Sequence, residues 1–320
     1  MRKSISAVVV FMMIAGSARA QDLGSNLAKV SGPYAQAYVS PVVNAFGMDM
    51  NSGLFHGASM SGLLPLGLHL YVGVQLGTTL VGSADKSFSL SYRDTLYDPL
   101  GIPHPANVTA SGPTIFGSKD QKGKVVYTPD NPLIPADSQQ TIPGVVSTSL
   151  APMPIPQIGL GTLFGTDVMV RFLPKIKLSD YGSLQLFGFA IRHSISQYIP
   201  LVPVDIAVQI GFQNFSLKDS SGSNLLKASA FAANVEVSKT LAILTLYGGL
   251  QLESSSVDLA YSYTPSYANA QPIPISMTIK GKNKFRALVG LSLGLGPLTI
   301  NGDYNIGSIN AVDLGLGVSI

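Results

Sequence analysis

Over residues 63–81, and again from about residue 157 to residue 320, aliphatic side chains alternate with small or polar ones at a period of two. Over residues 63–81 total hydropathy alone would suggest a membrane helix, yet Leu66, Leu68, Leu70, Val72, Val74 and Leu76 hold the even positions. Gly67, His69, Tyr71, Gly73, Gln75 and Gly77 hold the odd ones. A helix would scatter these aliphatics around its circumference, whereas a strand gathers them on one face. The alternation recurs. Val168, Val170, Phe172, Ile176 and Leu178 oppose Arg171, Lys175 and Lys177, and Val204, Ile206, Val208, Ile210 and Phe212 oppose Asp205, Gln209 and Gln213. Leu244, Leu246, Leu250 and Leu252 oppose Thr245, Tyr247, Gln251 and Glu253. Phe285 to Leu295 and Leu298 to Ile306 repeat the pattern, and Val312, Leu314, Leu316, Val318 and Ile320 close it. Segments of about ten residues separated by turn residues are the pattern of transmembrane barrel strands. Residues 183–193 are ambiguous, because Phe187, Phe189 and Ile191 fall opposite Leu184 and Leu186.

Charges test the assignment, since a charge facing lipid costs about 2 to 4 kcal/mol at the midplane. Arg171, Lys175, Lys177, Asp205, Glu236, Glu253, Asp258, Lys280, Lys284, Arg286, Asp303 and Asp313 are assigned to the polar parity, and Lys227 to a rim. Connections alternate between tight (Gly165-Thr166, Lys239-Thr240, Gly296-Pro297) and longer (179–182, 218–224, 264–272), as short turns on one side and loops on the other require. Counting back from the C-terminus gives nine segments as far as Gln157. Both ends on the periplasmic side demand an even total, so the chain before residue 93 must supply an odd number. The expected fold is an all-β, antiparallel transmembrane β-barrel of about 12 strands, with 14 as the alternative.

Two stretches lack the period. Residues 94–155 are rich in Pro, Gly, Ser and Asp and are expected to form a long outer loop, either mobile or with Thr114 to Gly117 folded into the lumen. Before the first strand, Tyr34, Tyr38, Val42 and Phe46 recur every four residues, a helical spacing that makes them candidate plug residues. Pro41 would kink that helix or confine it to two short turns, and Gly47 suits its C-terminal end. The expected organisation is a signal peptide over 1–20, a plug or periplasmic rim segment over 21–50, and the barrel over 51–320.

The signal peptide is read from Arg2 and Lys3, the apolar stretch Ala7 to Ala15, and Ala18-Arg19-Ala20 before Gln21. Its removal takes away three cations and no carboxylate. The remaining chain is neutral and has no basic cluster, which excludes nucleic acid as a partner. Charged residues make up 12% of the sequence against about 25% in soluble domains, so apolar surface must face something other than water. The chain has no Cys, which removes disulfides and thiolate metal sites, and no Trp, so interfacial girdles fall to Tyr and Phe, with Tyr198, Tyr247, Tyr261, Tyr263 and Tyr267 as candidates.

His56, His69, His104 and His193 show no metal-ligand spacing, and no phosphate-cradling glycine loop occurs. No catalytic, cofactor or metal residues are assigned, and the chain is expected not to be an enzyme. Tyr71, Gln75, Arg171, Lys175, Asp205, Gln209, Glu253, Arg286 and Asp303 are the expected lumen lining. They form either mutually neutralising networks in a closed lumen or a selectivity lining. The expected function is a monomeric outer-membrane channel or transporter for a small hydrophobic or amphipathic molecule; the alternative is a structural or adhesive barrel acting through its loops. The expected partners are outer-membrane lipid, the barrel-assembly machinery through the last strand, and a small apolar ligand. That strand departs from the usual assembly signal by ending in Ile320 rather than an aromatic.

Several motifs carry a resemblance. Tyr38-Val39-Ser40-Pro41, Asn51-Ser52-Gly53-Leu54-Phe55-His56, Pro113-Thr114-Ile115-Phe116-Gly117, Gly165 to Pro174, Ile191 to Pro200 and Gly302-Asp303-Tyr304-Asn305 resemble a domain-of-unknown-function family of bacterial outer-membrane barrels. That family is distantly similar to the long-chain fatty-acid transporters. The resemblance implies an N-terminal hatch and an apolar ligand path.

Overall fold

The computed structural model describes residues 27, 30–58, 68–98, 101–161, 164–177, 182–199, 201–218, 222–263 and 271–320. The signal-peptide expectation, Leu66, Leu178 and Tyr267 lie outside these residues, as does the Tyr263 side chain. One long helix, α1 (Gly32–Met50), precedes fifteen strands among the described residues. They are β1 (His69–Leu80), β2 (Ser87–Tyr97), β3 (Pro103–Pro113), β4 (Lys122–Pro129), β5 (Asp137–Pro143), β6 (Leu150–Gly161), β7 (Thr166–Lys177) and β8 (Ser183–Ser194). There follow β9 (Asp205–Lys218), β10 (Asn224–Leu241), β11 (Leu244–Tyr263), β12 (Ile273–Lys280), β13 (Phe285–Leu295), β14 (Leu298–Ile306) and β15 (Ala311–Ser319).

Ten strands close an antiparallel barrel in the order β1-β6-β7-β8-β9-β10-β11-β13-β14-β15. The seam is a continuous ladder from Tyr71↔Ser319 to Thr79↔Ala311, so the last strand pairs with the first. The expected count of 12 or 14 is therefore corrected to ten. Nine barrel strands do lie from β6 onward, and the odd number required before them is one rather than three, because the N-terminal region forms a helix. β12 stands outside the closed wall. It pairs only with the far half of β11, from Ser256↔Lys280 to Tyr263↔Ile273, while β13 takes the near half from Leu244 to Leu252.

The expected outer loop over 94–155 is also corrected. Its residues contribute to a second, four-stranded antiparallel sheet, β2-β3-β4-β5, and to the start of β6. That sheet is an excursion between the neighbouring barrel strands β1 and β6. Tight turns mark the opposite end of the barrel at Gly165 and Gly296, both with positive φ, and at Ala242-Ile243 just beyond the expected Lys239-Thr240. The β8 to β9 connection at that end is longer and holds a 3₁₀ turn, Ser196–Tyr198.

Along β7 to β11 the wall has two zones. Toward the turn end the outward face is apolar, with Val208, Ile210, Val235, Val237, Leu250 and Leu252 exposed and the inward positions polar. Toward the loop end the inward positions become apolar, with Leu184, Leu186, Phe215, Leu226, Val257 and Leu259 buried. The outward positions there carry Gln185, Asn214, Lys227 and Asp258, all exposed. This resolves the ambiguity of β8: Phe187, Phe189 and Ile191 face out, and Leu184 and Leu186 face in at the loop end. It also corrects the uniform charge assignment, because Lys175, Lys177, Asp258, Lys280 and Lys284 are exposed on the outer wall.

Candidate functional site in the barrel lumen

The N-terminal segment threads the lumen. At the loop end Tyr261 donates a hydrogen bond to the Val30 carbonyl at 3.2 Å. At the other end the Ala58 amide donates to Ser238 at 2.9 Å. Between them lies α1, about 28 Å long at 1.5 Å per residue. It continues through both Pro41 and Gly47, so the expected kink-limited turns and glycine stop give way to one 19-residue helix. Gly47 serves close packing instead: a Cβ there would collide with Ser255 on β11.

The upper tier of the lumen is an apolar core. Tyr34, Tyr38, Val39 and Val43 of α1 are buried against Leu184, Phe215 and Val257 of the wall and against Val108, Val125 and Ile142 of the small sheet. Phe46 stacks on Phe215 with ring centroids 5.3 Å apart, and Val42 is half-buried beside it. Tyr34 pairs its hydroxyl with Thr141 at 2.6 Å, and Tyr38 donates to the Pro143 carbonyl at 2.8 Å. Thr114 to Gly117 folds inward, as one reading had it: Ile115 and Phe116 are buried, and the Ile115 amide donates to the Tyr38 carbonyl at 3.2 Å.

The lower tier is polar, and it grips the segment mainly by its backbone. The C-terminal end of α1 has no basic residue in its last turn, yet its carbonyls need donors and carry partial negative charge. The wall supplies them. Arg286 donates to the Met48 carbonyl at 2.8 Å while binding Glu253 at 2.7 Å and Asn305 at 3.1 Å. Arg171 donates to the carbonyls of Met50 at 3.0 Å and Ser52 at 2.7 Å, and to Gln157 at 2.9 Å. Arg192 binds Asp167 and the Gly57 carbonyl, its guanidinium 4.7 Å from the Phe55 ring centre. Glu236 accepts from the Gly57 amide at 2.8 Å, and Gln251 donates to the Asn51 carbonyl at 3.1 Å. Thr79 donates to the Asp49 carboxylate at 2.7 Å. All three arginines are at most 1% exposed.

Of the expected lumen residues, Tyr71, Gln75, Arg171, Gln209, Glu253, Arg286 and Asp303 are buried on the inner wall. Asp205 is half-buried at the turn end of β9. Lys175 is corrected. A bulge between Leu173 and Ile176 inserts one residue into β7, so Ile176 turns inward and Lys175 stands exposed outside. Arg192, its partner Asp167 and the plug-binding Gln213 were not among the expected site residues. The phase of Leu184 and Leu186 on β8 would have placed Arg192 inward. Two girdle candidates also move: Tyr247 points into the lumen and donates to Asp303 at 2.9 Å, and Tyr261 holds Val30. Tyr198 is 67% exposed at the turn end beside His193. Each histidine has its own neighbour: His69 is 3.8 Å from Asp167, His104 3.4 Å from Asp98, His193 2.7 Å from Thr166, and His56 packs on the Tyr71 ring. Among the described residues, no group of three or more metal-ligating side chains occurs.

His56 makes the closed lumen pH-sensitive. Burial, then the charges of Arg192 and Arg171, push its pKa down from 6.5 to about 3. Once released, the ring would recover its ordinary value, so the released segment binds a proton more tightly below 6.5. The closed state therefore loses stability as pH falls from 6.5 toward about 3, by at most about 1.4 kcal/mol per unit. Asp49, facing Thr79, Asp313 and Arg286, acts in the opposite sense, because burial raises its carboxyl well above the ordinary range. The chain has no cysteine, so Ala58→Cys gives a single reporter. Maleimide labelling, normalised at each pH to the rate of a free thiol because acid itself depletes the reactive thiolate, is expected to gain more between neutral pH and about pH 5 in the chain with His56 than in His56→Asn. Equal gains in the two chains would refute the assignment.

The sequence model of a family of unknown function, DUF6588, matches residues 1–320. The chain belongs to DUF6588. No curated protein matches it. Solved structures with which it aligns include the attachment invasion locus protein Ail of Yersinia pestis, 9% identical, covering 78% of this chain and 98% of that one, with a TM-score of 0.26. The β domain of the Bordetella autotransporter BrkA is 9% identical over 79% and 99%, with a TM-score of 0.31. The Ralstonia pickettii toluene transporter TbuX is 9% identical over 87% and 98%, with a TM-score of 0.27. At such TM-scores these likenesses carry no argument about mechanism, and the DUF6588 chain is read from its own geometry.

Proposed function

We propose that this member of DUF6588 is an outer-membrane barrel that passes a small amphipathic molecule when its N-terminal segment leaves the lumen. One observation carries the reading. The lower lumen is a polar wall that holds a segment of the same chain through backbone carbonyls and amides, at Met48, Met50, Asn51, Ser52, Gly57 and Ala58. Backbone contacts of this kind can be exchanged for water or solute as the segment slides, because they do not depend on a fixed set of side chains. Buried acceptors on Glu236, Asn234 and Gln209 have no hydrogen-bond partner among the described residues, unlike a finished core. The apolar upper tier adds the surface over which an amphipathic solute would travel.

Thr79 and Asp49 are hydrogen-bonded across the boundary between wall and segment, so Thr79→Cys with Asp49→Cys should form a disulfide that locks it. Liposome flux or single-channel conductance is expected to be absent in the oxidised pair, restored by reductant, and large in a chain lacking residues 30–58. A silent deletion chain that still folds would end the transport reading.

A second reading draws on the β2 to β5 sheet, which adds a folded surface at the loop end of a closed lumen. As a structural or adhesive barrel, the protein would lose surface binding on removal of residues 87–143 and show no flux in any form.

A further inference from the structure

The lysines that left the lumen are not scattered. Register places them with their neighbours in three stacked rows on the outer wall of β7 to β12. The row nearest the turn end is apolar and aromatic: Val170↔Phe189, Phe189↔Phe212 and Phe212↔Phe231, with the last two rings 4.9 Å apart. The next begins with Phe172↔Phe187 and then becomes small and polar through Asn214, Ser229 and Ser256 to Lys280. The third runs Gln185↔Ser216, Ser216↔Lys227, Lys227↔Asp258 and Asp258↔Thr278.

Two adjoining cavities follow these rows. One of about 600 Å³ is lined by Phe172, Phe187, Lys175, Lys218 and Lys227, and one of about 400 Å³ by Phe212, Phe231, Lys280 and Lys284. They share Asn214 and Ser229, which are hydrogen-bonded to each other at 3.0 Å. Together they form a groove with rings on one rim, small hydroxyls and amides on the floor, Lys175, Lys218 and Lys227 with the single carboxylate of Asp258 on the other rim, and Lys280 and Lys284 closing its β12 to β13 end. Among the described residues, no ion pair engages Lys175, Lys227, Lys280 or Lys284. The opposite side of the barrel lacks this arrangement. There the outward positions at the loop end are apolar at Ile306, Val312, Leu80 and Leu150, with Thr78 the one hydroxyl beside them and no charged side chain among these positions.

We propose that this groove binds a phosphorylated, acylated lipid of the outer leaflet, its phosphates on the lysines and its chains on the phenylalanine row. Both halves of such a ligand find their counterpart. Ammonium groups with hydrogen-bonding neighbours hold phosphate oxygens by charge-assisted bonds, and aromatic side chains favour the level where headgroups meet acyl chains. The cavity volumes lie in the range of small-molecule sites. The inference rests on the outer-membrane reading but not on solute flux, so an inactive channel leaves it standing.

The test is native mass spectrometry of the full-length protein in detergent with diphosphorylated lipid A added. The same lipid stripped of its phosphates, and millimolar inorganic phosphate, serve as comparisons. The wild type is expected to retain the phosphorylated lipid at least an order of magnitude better than the stripped one, and free phosphate is expected not to displace it. Glutamine at Lys175, Lys227, Lys280 and Lys284 together should remove that preference, arginine at the same four should keep it, and Lys122→Gln with Lys124→Gln on the small sheet should leave it unchanged. Equal retention of both lipids by the wild type would reduce the groove to nonspecific acyl packing and overturn the proposal. So would displacement by free phosphate, or full retention by a glutamine variant that still migrates as a folded barrel. The wild-type comparison decides the matter even if the glutamine variant fails to fold.

Discussion

Replacing Arg286 with methionine is expected to lower the stability of the folded barrel by about 3 to 5 kcal/mol, the usual cost of breaking a buried ion pair from one side. Arg286 is fully buried on β13 and holds Glu253, Asn305 and the Met48 carbonyl at once. Methionine fills similar volume but leaves Glu253 with only the amide donors of Gln251 and Asn283 and no cation. Adding Glu253→Gln should recover most of the loss, because the second change removes the stranded charge. Arg286→Lys should fall between, since a single ammonium cannot reach all three partners. Urea unfolding in lipid vesicles, followed by loss of the fast-migrating folded band on a gel, measures all three. A methionine variant within about 1 kcal/mol of wild type, or a double variant no better than the single, would show that this cluster does not anchor the segment.

Parity was enough to read the barrel because both faces of a membrane-spanning strand are under strong and opposite constraint. Leu66 to Leu76, Leu244 to Leu252 and Val312 to Val318 announce strands without any structural help. Depth was not legible. Alternation looks the same wherever a strand sits along the barrel axis, so Lys227 and Asp258 read as rim or lumen residues when both stand on the outer wall beyond the apolar belt. The inversion is visible in the sequence only as conflict, in Leu184 and Leu186 against Phe187 and Phe189. Lys175 failed for a local reason. Pro174 cannot donate to a ladder and marks the bulge that reverses parity in β7, a cue that the chemistry of proline makes available.

The small sheet was hidden by weak contrast. On β3 the buried residues before the terminal Pro113 are Ala106, Val108 and Ala110, alternating with Asn107, Thr109 and Ser111, and prolines stand at both ends of the strand. A face of alanine and valine lies far below the amplitude of a lipid-facing strand, and its partner surface is a helix 60 or more residues earlier in the chain. The helix itself was legible from Tyr34, Tyr38, Val42 and Phe46, but its length was not. Pro41 and Gly47 are stop signals for a helix in water. Here the Ile115 amide ties the turn before Pro41 to the rest of the fold at the Tyr38 carbonyl, and the wall presses close enough at Ser255 to need glycine at position 47. Tertiary contacts supplied what local propensity denied. The same holds for the grip on the segment, which runs through its backbone and leaves almost no mark on its side-chain sequence.

Arginine placed along the outer wall should map the membrane boundary. Leu314 lies midway along β15 on an outward face of Val312, Leu314, Leu316 and Val318, and is 55% exposed opposite Leu76 of β1. Leu314→Arg is expected to cost about 2 to 4 kcal/mol in vesicles and to impair insertion. Ser256→Arg, also outward but in the polar row among Ser229, Asn214 and Lys280, should change stability by less than about 0.5 kcal/mol. Leu252→Arg, two outward positions nearer the turn end on β11 and 62% exposed, should resemble Leu314→Arg. The contrast between Leu252 and Ser256 is the informative part, because the two stand on the outward face of one strand at different depths. Equal losses at all three sites would place lipid up to the loop end and submerge the lysine groove. Equal indifference would mean that the apolar belt does not face lipid at all. The expected graded result puts the boundary between Leu252 and Ser256, at the row of phenylalanines.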